Sequence, residues 1–333
     1  MDVVSDAIAS ARIGRPDAHR VEVSGTWCCR LPAYEGVGFH VVLEGGCWLL
    51  PDGGGAPLTL AAGDAVLLPR GAGHVLADSP ADARAVAQAI PFERWRRETA
   101  DGTTRPPATH PEQGARSTEL LCGKYRFDRT HAHPLFAELP ETVHLPRRAG
   151  HHPELQAAIG LLGRETGASL PGADVAVPGL LDLLLVYLVR AWATDRAAGP
   201  GWPAALADPV VAEALRLLHA APEAPWTNAS LAARTGVSRA TLTRRFTALV
   251  GRAPMTYLTW WRMSRAATLL RETTHPLETV ARQVGYSSPY ALSHAFTRTF
   301  GVTPGRYRKA PGAHRTAAGA TLEGRGFSVP LSS

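Results

Sequence analysis

Leu242-Thr243-Arg244-Arg245-Phe246-Thr247-Ala248-Leu249-Val250-Gly251-Arg252-Ala253-Pro254-Met255-Thr256-Tyr257 returns fifty residues later as Leu292-Ser293-His294-Ala295-Phe296-Thr297-Arg298-Thr299-Phe300-Gly301-Val302-Thr303-Pro304-Gly305-Arg306-Tyr307. Leu, Phe, Thr, Gly, Pro and Tyr recur at matching places. Upstream, Ala232 and Gly236 reappear as Ala281 and Gly285 at an offset of 49, so the second turn is one residue longer. A repeat of this length means two copies of one supersecondary unit, and its residues specify a helix-turn-helix. Ala232 and Ala281 are small enough for the first helix to lie against the second. Four residues on, Gly236 and Gly285 accept the positive φ that ends that helix and reverses the chain. Ser238 is placed to cap the next helix; Ser288 followed by Pro289 fits an N-cap with proline at the first helical position. Leu242 with Phe246, and Leu292 with Phe296, are i,i+4 pairs that face inward.

The residues left facing outward are the candidates for base contact: Arg239, Thr241, Thr243 and Arg244 in the first copy, Pro289, Tyr290, Ser293 and His294 in the second. Arg244 has the geometry for a bidentate contact to guanine. Arg245, Arg298, Arg306 and Arg308 are candidates for phosphate contact, or for solvent. Between the copies, Met255 to Arg271 reads as one amphipathic helix with Leu258, Trp261, Ala266, Leu269 and Leu270 as its buried stripe, Trp260 and Trp261 being packing residues. Recognition helices held roughly 34 Å apart would enter successive major grooves of one duplex. Charge agrees with this. Residues 208–310 carry fourteen Lys or Arg against five Asp or Glu, whereas residues 1–207 carry nineteen against twenty-three. The overall +6 therefore conceals a basic C-terminal part suited to phosphate and an N-terminal part with no reason to approach DNA.

With these residues in place, Asp208 to Arg308 resembles the DNA-binding domain of AraC/XylS-type bacterial transcription regulators. The run Gly285-Tyr286-Ser287-Ser288, then Phe296, Phe300-Gly301-Val302-Thr303-Pro304 and Tyr307-Arg308, carries most of the likeness. The resemblance implies two helix-turn-helix units joined by a long helix, with an arginine entering the groove at Arg244. It also implies promoter DNA, a small-molecule effector, RNA polymerase and a second copy of the chain as partners, and no membrane. The second recognition helix departs from the family, with Pro289, Tyr290 and His294 where polar or basic groups are usual.

The N-terminal part reads differently. Val37 to Leu43, Cys47 to Leu50, Leu58 to Leu60 and Ala65 to Leu68 are short strand-like runs separated by Gly, Pro and Asp, with a turn at Pro51-Asp52-Gly53-Gly54-Gly55. That pattern predicts a small antiparallel barrel. Gly63 to His74, with Pro69-Arg70-Gly71 and the histidine that follows, is similar to the second cupin motif. Residues 21–90 thus resemble a cupin of the kind attached to many such regulators. The resemblance would place metal ligands at His40 and His74, but Val42 stands where a second histidine belongs and Gly46 or Cys47 where a glutamate belongs. Two readings stay open: a Zn²⁺ completed by Cys47 or Cys122, or two histidines lining a pocket or bonded in the barrel wall. The thiols likewise read either as a redox sensor or as buried structural groups; Cys28, Cys29, Cys47 and Cys122 form no disulfide framework.

The expected organisation is an α+β multidomain chain. An N-terminal antiparallel β-barrel of cupin type that senses an effector occupies residues 1–145. A helical segment follows at 146–193, for dimerisation or simple packing, with helices at His151 to Glu165 and Leu180 to Trp192 and a loop from Thr166 to Gly179. A linker spans 194–207, an all-α tandem helix-turn-helix domain 208–310, and a disordered tail 311–333; Thr99 to Ser117 reads as a long loop. No signal peptide is evident, and the longest apolar run, Leu180 to Leu188, is broken by Asp182 and too short for a bilayer. A cytoplasmic location is expected. The competing class is a cupin metalloenzyme, an oxygenase or isomerase with a helical appendage; against it stand the missing ligands and the lack of an acid, base or nucleophile constellation.

Overall fold

The computed structural model describes residues 2–80, 83–96, 117–127, 133–167 and 170–309. Most of the loop expected at Thr99 to Ser117, and the tail expected at 311–333, lie outside these. The chain divides into two compact units on either side of Trp260 and Trp261, so the boundary falls within one helix.

The first unit opens with α1 (Val3–Ala11), which runs directly into β1 (Arg12–Ser24). There follow β2 (Cys28–Leu31), β3 (Val37–Glu44), β4 (Gly46–Pro51), β5 (Leu58–Ala61), β6 (Ala65–Leu68), β7 (His74–Ala77), α2 (Ala83–Ala87), β8 (Ile90–Pro91), α3 (Phe92–Arg96), β9 (Ser117–Phe127), α4 (Pro134–Ala137) and β10 (Val143–Leu145). The predicted strands are present within a residue or two. The closed barrel is not: the strands form two five-stranded sheets, β1-β9-β3-β6-β10 and β5-β4-β7-β2-β8. Their inner faces meet in one apolar layer. Val42, Val66, Leu120 and Cys122 come from the first sheet, and Cys29, Cys47, Leu49, Leu60 and Leu76 from the second. Strand β3 is buried from Val37 to Val42 on both its faces. One face meets the other sheet, and the opposite face is covered by helix α5 (Pro153–Gly167), which is why this strand reads as a near-continuous apolar run.

Helix α6 (Ala173–Asp195) packs on α5, β1 and β10. It begins seven residues earlier than Leu180, so the predicted loop Thr166 to Gly179 is largely helical. The proline responsible for that expectation, Pro178, stands in the second turn and removes only the bond to the Asp174 carbonyl, while Asp174 itself favours the positive end of the helix. At 23 residues α6 is long and apolar enough to cross a membrane, unlike the run Leu180 to Leu188 alone. Its side chains Leu181, Leu184, Leu185, Leu188, Val189 and Trp192 are instead buried in the sensor. The expected linker also contains a helix, α7 (Trp202–Ala207), because Trp202 brings enough apolar surface to be fully buried.

The unit ends with α8 (Pro209–Ala220), α9 (Asn228–Arg234), α10 (Arg239–Val250) and the start of α11 (Pro254–Glu272). The second unit holds the remainder of α11, then α12 (Leu277–Gln283), α13 (Pro289–Phe300) and α14 (Pro304–Arg308). Its core joins Met263, Ala266, Ala267 and Leu270 of α11 to Val280, Ala281, Leu292 and Phe296. Of the stripe predicted on α11, Leu258, Trp261, Ala266 and Leu270 are buried; Leu269 is half-buried and packs at the edge of that core.

Candidate nucleic-acid interface and sensor cavity

Each helix-turn-helix is built as its residues require. In the first copy Thr227 and Ser230 cap α9 reciprocally, Gly236 turns the chain at φ +71°, and Val237 N–H donates back to the Ala232 carbonyl at 3.1 Å. The second copy repeats this: Gly285 lies at φ +76°, and Tyr286 N–H donates to the Ala281 carbonyl at 2.9 Å. Both are helix ends of Schellman type, and the additional residue of the second turn falls after them. Ser238 then accepts from Thr241 N–H and Ser288 from Ala291 N–H, each at 3.1 Å, with Pro289 in the first turn. Leu242, Phe246, Leu292 and Phe296 are fully buried. Burying such side chains contributes roughly 1.5–3 kcal/mol each, so the pattern that faces the core also dictates what α10 and α13 present to solvent.

On α10, Arg239 and Arg244 are exposed, and Thr241 and Thr243 half-buried. Arg239, Ala240, Thr243 and Arg244 line one shallow open depression together with Asn228. Asn228 was absent from the sequence reading, where an asparagine at a helix start signifies only capping. Its Oδ1 is buried with no hydrogen-bond partner among the described residues. Arg245 is turned aside toward Asp208, 3.7 Å away. On α13, Tyr290 is 82% exposed, His294 is exposed, and Pro289 and Ser293 are half-buried. Arg298 and Arg306 are exposed. Arg308 is half-buried, and its Nη2 donates to the His275 carbonyl at 2.6 Å, which commits this guanidinium to holding the segment ahead of α12.

In the sensor, strand register sets the second site. His40 is opposite Cys122 and Val66, and His74 is opposite Leu31. Both histidines share the inward face with Val42 and Leu76, and they meet between the sheets with Nε2 atoms 2.7 Å apart. His74 Nδ1 donates to the Ala72 carbonyl at 2.9 Å. A neutral His74 therefore has a bare Nε2, His40 Nε2–H donates to it, and His40 Nδ1 is left as a buried acceptor with no partner among the described residues. Burial, with His74 beside it, holds His40 well below the usual imidazole range; burial lowers His74 too. The pair borders a cavity of about 100 Å³. Asp17, His19, Tyr34, Glu93 and Lys124 supply its polar lining, and Leu31, Pro32 and Phe92 its apolar part. The Tyr34 hydroxyl is likewise buried without a partner among the described residues.

Cys122 borders this cavity, whereas Cys47 belongs to the apolar layer and is not among its lining. Burial pushes the Cys47 thiol up to about 12 and raises Cys29 and Cys122 as well. The residues do not fit zinc as they stand. Two imidazoles on a tetrahedral zinc have nitrogens about 3.3 Å apart; here the two Nε2 atoms are 2.7 Å apart, at hydrogen-bond distance. Among the described residues, the grouping of three metal-binding side chains within 4.8 Å is His151, His152 and Asp195, half-buried or exposed.

Comparison with known proteins finds relatives of both domains. A cupin family model matches residues 2–194, and a helix-turn-helix domain model matches residues 231–310. A putative AraC-like transcription regulator of Streptomyces antibioticus is 37% identical over 321 residues, covering 93% of this chain and 99% of that protein. A second, from Streptomyces lividans, is 36% identical over 313 residues with the same coverage. Among solved structures, the DNA-binding domain of AdpA in complex with a target DNA is 36% identical and covers 30% of this chain and 90% of that one, with a TM-score of 0.29. The chain belongs to the AraC-like transcription regulators: it is a DNA-binding regulator and not an enzyme, with a cupin sensor domain ahead of its helix-turn-helix units.

Proposed function

We propose that Arg239, Thr241, Thr243 and Arg244, with Asn228 beside them, read bases in one major groove, and that Pro289, Tyr290, Ser293 and His294 present the second reading surface. Arg298 and Arg306 contact phosphate; the weaker phosphate candidates are Arg245, drawn toward Asp208, and Arg308, held by the His275 carbonyl. The chain acts in the bacterial cytoplasm as a homodimer that meets RNA polymerase at promoters. Exposed Leu161 on α5 and Leu183 and Val175 on α6 support a dimer contact on these helices. Leu183→Glu is expected to convert the dimer to a monomer in sedimentation equilibrium, and an unchanged mass would remove α6 from the interface.

The sensor cavity takes a small organic effector bearing a hydroxyl or amine, not a catalytic metal. The observation that carries this is the pair of buried groups without partners among the described residues, the His40 Nδ1 acceptor and the Tyr34 hydroxyl, at a cavity with room for only a few heavy atoms. An unsatisfied buried polar atom costs about 1–3 kcal/mol, and a ligand that pairs with it recovers that energy. The test is a titration of the full-length chain on footprinted DNA with small alcohols and amines, in wild type and His40→Leu. One chemical class should shift the wild-type affinity and lose its effect in the variant. An equal shift in both would place the effector elsewhere, and zinc bound in equimolar amount by wild type but not by His40→Leu would restore the metal reading.

A further inference from the structure

The two copies of the repeat differ in what holds one tyrosine. Tyr257 and Tyr307 occupy the same place, and each ring packs on the inward phenylalanine of its recognition helix, Phe246 at 5.7 Å and Phe296 at 5.2 Å between centroids. In the second copy the hydroxyl accepts from Arg271 Nη1 at 2.9 Å, within the same unit. In the first copy the hydroxyl lies between two imidazoles, His219 Nε2 at 2.7 Å and His133 Nε2 at 2.8 Å. His219 belongs to α8, but His133 belongs to the sensor, where it caps α4. The other nitrogen of His219 donates to Asp6 Oδ2 on α1 at 2.8 Å. Asp6, His219, His133 and Tyr257 are 2%, 3%, 0% and 0% exposed.

The proton order along this chain follows from its ends. Leu135 N–H donates to His133 Nδ1 at 3.2 Å, so His133 carries its proton on Nε2 and donates to the Tyr257 oxygen. Tyr257 then donates to His219 Nε2, and His219 Nδ1–H donates to the Asp6 carboxylate. Every donor meets an acceptor, and removing one member breaks the bonds that its neighbours make to it in a buried site.

Both sensor ends of the chain lie close in sequence to strands that line the cavity. Asp6 lies on α1, which continues directly into β1; His133 lies six residues beyond the end of β9. Strands β1 and β9 pair Asp17 with Lys124, Ala18 with Gly123 and His19 with Cys122, and Asp17, His19, Cys122, Gly123 and Lys124 all border the cavity. We propose that the β1–β9 ribbon transmits occupancy of the sensor cavity to α10 through the Asp6–His219–Tyr257–His133 joint, with Tyr257 as the positioning residue that carries it to Phe246. This rests on the effector reading of the cavity, but the joint can be tested without any ligand.

Hydrogen exchange is measured on the full-length chain for wild type, Tyr257→Phe and, as the repeat-matched control, Tyr307→Phe. Affinity is measured for wild type and Asp6→Asn on a duplex selected from a random-sequence pool by the wild-type chain. Tyr257→Phe should speed exchange in α1 and α4 at least tenfold, whereas Tyr307→Phe should leave both unchanged. Asp6→Asn should alter duplex affinity threefold or more, although Asp6 is buried at the sensor end of the joint. Exchange in α1 that is unmoved by Tyr257→Phe, or moved equally by Tyr307→Phe, would overturn the joint. Faster exchange with wild-type affinity in Asp6→Asn would reduce it to packing and overturn the coupling. A wild-type chain that selects no duplex would defeat the base-contact assignment instead, leaving exchange to decide the joint. An alcohol or amine response that survives His40→Leu would defeat the cavity reading alone.

Discussion

Arg244 and Arg298 are both exposed arginines on the helices proposed to read DNA, and their surroundings differ. Arg244 borders the depression shared with Asn228, Arg239 and Thr243, whereas Arg298 lies toward the C-terminal end of α13. A base contact discriminates among sequences and a phosphate contact does not. Arg244→Ala is therefore expected to cost about 1–3 kcal/mol on the selected duplex and to relax one base position, while Arg298→Ala weakens selected and random DNA alike. Equal losses on both duplexes for Arg244→Ala, measured at fixed salt, would remove it from base readout. The outward residues were legible from the sequence because the buried Leu–Phe pair fixes the helix phase. Asn228 was not, since its place beside α10 depends on how α9 crosses it.

At the scale of elements, the caps explain why short helices hold here. Helices α10 and α13 are each 12 residues long, close to the length at which an isolated helix is marginal in water. Ser238 and Ser288 satisfy one of the orphan N–H groups at each start. Ser238→Ala is expected to lower the stability of the full chain by about 1 kcal/mol, read as a lower urea midpoint with an unchanged slope. A midpoint equal to wild type would mean that water replaces the cap. The helices of this half were readable because capping, turn glycines and i,i+4 pairs are local. Helix α6 was misread at its start for a complementary reason: Gly172 and Pro178 look like a loop locally, and only packing on α5 and the sheet compensates for the bond that Pro178 omits.

For the whole molecule, the buried imidazoles make stability depend on pH. Burial, then His219 and Arg252, hold His133 well below the usual range, so it stays neutral in the folded chain. Asp6 and Tyr257 complete the polar surroundings of the joint. The unfolded chain binds that proton with an ordinary pKa of about 6.5. Below that value the unfolded state holds more protons, and folding is penalised. The contribution is therefore intact above about pH 6.5 and lost as pH falls from there toward the depressed folded value; His40 and His74 act in the same direction. The urea midpoint should fall between pH 7.5 and pH 5.5. A midpoint constant over that range would mean that His133 is protonated in the folded protein, which the joint does not allow.

The sequence by itself determined the two reading units, because a repeated pattern of small residue, turn glycine, cap and inward pair specifies a helix-turn-helix locally, and the short apolar runs of the sensor, broken by Gly, Pro and Asp, specify its strands. Charge distribution, a property of composition, separated the basic reading half from the rest. Tertiary structure alone decided that the strands form two sheets rather than a closed barrel, and that the Nε2 atoms of His40 and His74 meet at hydrogen-bond distance. It also brought Asp6, His133, His219 and Tyr257 into one buried chain. Each of these depends on side chains far apart in sequence meeting at hydrogen-bond distance, which is set by the packing of sheets and helices and not by any local pattern of residues.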